Sequence, residues 1–145
     1  MRDIKFRAWN PENNCITHFD NEKAAKDQYI AEHLLMLMAN KHIAGKGLLM
    51  QFTGLQDKNG VDIYEGDILR IPAKSKYEET TYNCFEVFYH DNECIGGQNI
   101  GFCINRMHTQ GNSGGGQGYK FTPESISKNG FVITGNIHEN PELLK

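Results

Sequence analysis

The sequence has no long hydrophobic run. Its longest uninterrupted apolar stretch is LLMLMA at 34–39, far short of the ~20 residues a membrane-spanning helix needs, so no membrane partner is expected. A basic surplus is also missing: 15 Lys and Arg stand against 18 Asp and Glu, for a net charge of −3. Nucleic-acid-binding domains usually carry excess positive charge over the fold or on one face, which argues against nucleic acid as a partner. Cysteine is sparse, with Cys15, Cys84, Cys94 and Cys103 spread through the chain. The start MRDIKFRAW is already alternating and charged, with no apolar h-region to follow. The expectation is a cytoplasmic protein with reduced thiols.

What is present suffices for a folded domain. At 145 residues, folding removes roughly 68–70% of the unfolded chain's surface from water, so neither a disulfide nor a metal is needed for stability. Ile4, Phe6 and Ala8 alternate with Lys5, Arg7 and Trp9, the period of a half-buried strand. Asn10-Pro11-Glu12-Asn13-Asn14 is turn chemistry, and 15–19 can return as a hairpin partner. One main helix is expected over 22–40, capped by Asp20 or Asn21, with Ile30, Leu34, Leu37 and Met38 on one face. Its second half is apolar all round and should be buried on more than one side, by the sheet or by a neighbouring subunit.

The block 48–71, LLMQFTGLQDKNGVDIYEGDILRI, is read as two β-strands around a tight turn at the centre of the fold. Asp57-Lys58-Asn59-Gly60 tolerates positive φ, so the chain can reverse there. Glu65-Gly66-Asp67 is a second reversal before the apolar strand 68–71. Residues 73–81 read as a polar loop, 83–90 and 101–105 as strands, GNSGGGQG at 111–118 as a flexible loop and 131–137 as a last strand. Thr122-Pro123-Glu124 is a helix start, with proline at the first helical position. The pattern predicts an α+β, mostly β fold, a small strongly bent sheet or barrel with one main helix.

The opening IKFRAW, the block LMQFTGLQDKNGVDIYEGDI and the close VITGNIHENPELL resemble the YopX family of phage and prophage proteins. These segments lie at the start, middle and end, so the resemblance covers residues 1–145 as a single domain. It implies a phage or prophage origin, a barrel-like core of Src-homology-3-like type, a homo-oligomer and a place in the bacterial host cytoplasm. It implies no known activity. Residues 21–46, a helical insertion, and 106–120, a flexible Gly-rich loop, fall outside what the family resemblance explains.

The chemical constellations are weak. Cys84, His90, Cys94, Cys103 and His108 cluster in the second half, yet His90-x3-Cys94 and Cys103-x4-His108 are not zinc-knuckle spacings. The glycine loop lacks the lysine and serine of a phosphate-binding P-loop. Asp57, Asn59 and Asp62 faintly suggest a calcium loop, but an EF-hand wants glycine at the sixth position, and Gly60 is fourth. Ser113 is not in a strand-to-helix nucleophile elbow. No cofactor and no enzymatic activity are expected. Two binding surfaces remain. Lys5, Arg7 and Trp9 would share one strand face, a basic–aromatic stripe able to grip phosphate and stack a base. Leu34, Met36, Leu37 and Met38 form a methionine-rich helix end suited to a protein or subunit contact. The leading expectation is a non-enzymatic, oligomeric protein-binding accessory module, with a host protein as partner; the alternative is a nucleic-acid-binding module on the N-terminal strand face.

Overall fold

Turn chemistry and alternation at the N-terminus fold as a hairpin. In the computed structural model, which describes residues 4–11, 14–19, 32, 36, 49–72, 82–90, 101–107 and 119–144, strand β1 (Phe6–Asn10) pairs antiparallel with β2 (Cys15–Phe19). Asn14 takes φ 48 in the connection, a left-handed conformation that asparagine tolerates better than most residues. On its other side β1 pairs with β3 (Leu49–Gln56), setting Arg7 opposite Met50 and Ala8 opposite Leu49. The Phe52 amide donates to the Lys5 carbonyl at 2.9 Å and continues that ladder.

The chain forms two compact units, 1–54 and 55–145. The first has a small apolar cluster of Ala8, Phe19 and Leu49 with Phe6 packed against it. Phe6 and Ala8 are the inward residues of β1, as the alternation predicts.

Strand β3 runs past Gly54 into the second unit, where it neighbours β4 (Asp62–Tyr64). The block 48–71 therefore contains three strands, the third being β5 (Asp67–Pro72). They are followed by β6 (Tyr82–His90), β7 (Gly101–Arg106), β8 (Tyr119–Lys120), helix α1 (Pro123–Asn129), β9 (Val132–Asn136) and a 3-10 turn (Pro141–Leu144). A five-stranded sheet in the order β8-β7-β6-β5-β9 has all its pairings antiparallel. It is a half-barrel bent around Ile63, Leu69, Phe85, Val87, Ile104, Phe121, Ile126 and Phe131. Phe131 meets Phe85 and Phe121 edge-on, with ring centroids 5.4 and 6.2 Å apart, the arrangement that ring quadrupoles favour.

Helix α1 starts where Thr122-Pro123 predicts. The Thr122 hydroxyl accepts from the Ser125 amide and the Ser125 hydroxyl accepts from the Thr122 amide, a reciprocal cap that satisfies two end donors. Gly130, at φ 66, closes the helix with its amide on the Ile126 carbonyl. Only this one short helix is complete among the described residues, and the fold is mostly β. Of the expected helix 22–40, Glu32 and Met36 are described and helical; the rest, the loop 73–81 and the glycine run 111–118 lie outside the described residues. Strand β8 falls at the end of the segment read as loop over 106–120.

Candidate functional site

The acidic and amide residues of the motif segments concentrate at three turns of the second unit. Asp57 is 6% exposed. Its Oδ1 accepts from the amides of Asn59 (2.8 Å) and Val61 (3.0 Å), and its Oδ2 accepts from the amide of Ile133 at 3.2 Å. Lys58 donates its own amide to the Phe131 carbonyl at 3.0 Å. Gly60 completes the reversal at φ 82, a value glycine adopts without a Cβ clash. The tip of the β3–β4 hairpin is thereby bonded to β9.

The second turn is centred on Gly66, at φ 79. Its amide donates to the Val87 carbonyl at 2.8 Å and its carbonyl accepts from Ile137 at 2.9 Å. Asp67, 1% exposed, accepts the Tyr64 amide at 2.8 Å through Oδ2. In the third, buried Asn136 accepts from the His138 and Glu139 amides through Oδ1. The Asn136 amide in turn donates to Asn140 Oδ1 at 3.3 Å. Each of these side chains bonds main-chain amides in place of solvent, Asp57 reaching across to β9 as well, as buried polar groups must.

A second concentration of polar groups lies across the sheet. With Phe85 and Val87 turned to the core, Tyr82, Cys84, Glu86, Phe88 and His90 of β6 share the opposite face. Arg70 is the cross-strand partner of Cys84, and its guanidinium lies 4.7 Å from the Tyr82 ring centroid. Asn105 stands opposite Glu86, and Phe88 and His90 rings are 6.0 Å apart. Burial pushes the Glu86 carboxyl above its ordinary range. It also pushes the Cys84 thiol up, against the opposing pull of Arg70. A thiol raised in this way is a poor nucleophile. On the same face Ile68 is fully buried and Cys103 is 2% exposed, so this is not an open catalytic surface.

Among the described residues no group of three or more His, Cys, Asp or Glu could hold a metal ion. Cys84, His90 and Cys103 share one face of the sheet without forming such a group, while Cys94 and His108 lie outside the described residues. Of the faint calcium set, Asp57 is engaged with backbone amides and Asp62 accepts from Gln56 Nε2 at 2.9 Å.

The N-terminal stripe is not presented as an open basic face. Arg7 is 7% exposed, with Nη2 3.5 Å from the Met50 sulfur. Lys5 Nζ sits 4.9 Å from the Phe52 ring centroid, and Trp9 is half-buried. Strand alternation assigned Arg7 to an outer face, but that side chain is buried, with Met50 of the neighbouring β3 beside it. At the helix end, Met36 is 54% exposed, whereas Leu34, Leu37 and Met38 lie outside the described residues. Sequence reasoning passed over Arg70, Tyr82, Glu86 and Asn105; alternation puts Tyr82 and Glu86 on one face of β6, but no local signal placed Arg70 and Asn105 beside them.

Residues 5–145 match the family described as YopX protein. No curated protein matches the chain. Three solved chains match; in one, the crystal structure of protein EF1440 from Enterococcus faecalis, the two chains are 23% identical over 100% of each, with a TM-score of 0.55. That likeness is one of fold. No helix among the described residues is long and apolar enough to cross a membrane.

Proposed function

This chain belongs to the YopX family, and we propose that it is a non-enzymatic phage or prophage accessory protein that self-associates and acts by binding protein. The observation that carries the reading is the use of the motif side chains. Asp57, Asp67 and Asn136, the buried polar residues of the motif segments' turns, are taken up by backbone amides. The described surface instead presents apolar groups: Ile4, Met36, Val61, Tyr82 and Tyr89 are 37–54% exposed. Aromatic residues and methionine are the side chains most enriched at protein interfaces.

In this reading the second unit is a small barrel of Src-homology-3-like type. The bonds from the 57–58 turn to 131 and 133 support that closure. Its setting is the bacterial host cytoplasm, and its partner beyond a second copy is a host protein.

Light scattering on the purified protein tests self-association, and affinity capture from host lysate tests the partner. A strict monomer that retains nothing above control removes both supports. Burial of Arg7 counts against the alternative, nucleic-acid binding through Lys5, Arg7 and Trp9. A gel shift with single- and double-stranded DNA and RNA that weakens with salt would reverse that judgement.

A further inference from the structure

Strand β9 is the last strand of its sheet, and a terminal strand offers a row of amides and carbonyls to any other chain that can pair with it. The segment FVITGN at 131–136 makes the hazard concrete. It has no charge and no proline, and its Val132-Ile133-Thr134 run is β-branched, the composition that favours intermolecular strand pairing. In the folded chain the Phe131 carbonyl is bonded to the Lys58 amide and the Ile133 amide to Asp57 Oδ2. A carboxylate and a main-chain amide thus stand where the carbonyl and amide of a sixth strand would stand.

We propose that the turn Asp57-Lys58-Asn59-Gly60 is an edge guard that prevents β9 from pairing antiparallel with β9 of a second copy. Two copies released in the same way are self-complementary about a two-fold axis. The Phe131 carbonyl and Ile133 amide of one meet the matching groups of the other. Asp57 is the vulnerable part of the guard, because the same carboxylate holds both the turn and the strand. The proposal is independent of the surface used for native assembly.

The test compares Asp57→Asn and Asp57→Ala with the parent by light scattering over a range of concentrations, below each variant's own melting transition. Exchange of the Ile133 amide is followed in dilute samples. Loosening of the guard should accelerate that exchange roughly tenfold or more. The variants should also show a concentration-dependent doubling of the parent's mass. Val132, opposite Arg70 on β5 and on the face away from Phe131 and Ile133, falls on the two-fold axis of that pairing and supplies the control. Adding Val132→Lys puts like charges directly opposite each other at the two-fold axis and should return the mass to that of the parent while exchange stays fast. Three results would overturn the proposal: unchanged Ile133 exchange in both variants, fast exchange with the parent's mass at all concentrations, or association that Val132→Lys leaves intact.

Discussion

Replacing Gly135 by alanine should destabilise the fold through one identifiable collision. Gly135 does not take a positive φ, so its backbone conformation does not by itself exclude a side chain. Elsewhere such a Gly→Ala change stabilises by about 0.4–1 kcal/mol, by restricting the unfolded chain. Here a Cβ would stand 2.7 Å from Asn140 Cγ and 3.1 Å from Asn140 Cβ. The asparagine cannot simply swing aside, because its Oδ1 accepts the Asn136 amide and its own amide donates to the Asn136 carbonyl at 3.0 Å. Overpacking costs about 1–3 kcal/mol, and loss of an acceptor for a partly buried amide adds about 1 kcal/mol. After the entropic offset the net loss is about 2 kcal/mol. At this chain length that is a fall in Tm of roughly 6–8 °C. Urea titrations of the parent, Gly135→Ala, Asn140→Gly and the double variant measure it as a cycle. In the Asn140→Gly background the alanine should be neutral or stabilising. A Gly135→Ala variant within about 0.5 kcal/mol of the parent, or a cycle without coupling, would refute the reasoning.

Three further outcomes follow from the same geometry. Asp67→Ala should cost about 2–4 kcal/mol in urea unfolding, because it leaves a buried amide at Tyr64 without its acceptor; a loss near zero would mean the turn re-forms without it. Thr122→Ala should cost about 1 kcal/mol by removing the cap of α1, and Thr122→Ser should recover most of it in the same titration. Glu86 carries a pH signature. Its folded pKa is raised by burial, so the fold binds its proton more tightly than the unfolded chain does. Stability contributed by the neutral acid is full below the unfolded carboxylate value, about 4.3, and is lost as pH rises through the raised folded value. Glu86→Gln should therefore be more stable than the parent at neutral pH, with the difference closing in acid. A difference that does not change with pH would sink this assignment.

Much of the local structure was legible in the chain. Alternation over 4–9 and the Asn-Pro-Glu-Asn-Asn turn specified the first hairpin and put Phe6 and Ala8 inside. Asp57-Lys58-Asn59-Gly60 and Glu65-Gly66-Asp67 marked two reversals because few residue types relieve the strain of positive φ. Proline behind Thr122 marked the start of α1. Arg7 was misplaced because a two-residue period says which residues share a face but not whether that face meets solvent. Strand β8 was missed because two residues beside a glycine run carry no period at all.

By itself, then, the sequence determined the turns, the strand faces, the helix cap and the family, each written in residues close together in the chain. Strand partnership was decided only by the tertiary structure. Asp57 meets Ile133 across 76 positions, and β5 pairs with β6 on one side and β9 on the other. Those choices depend on which apolar faces can be buried together and which amides then remain to be satisfied. They turned the aspartates and asparagine of the motif segments from candidate chemistry into the fastenings of a half-barrel.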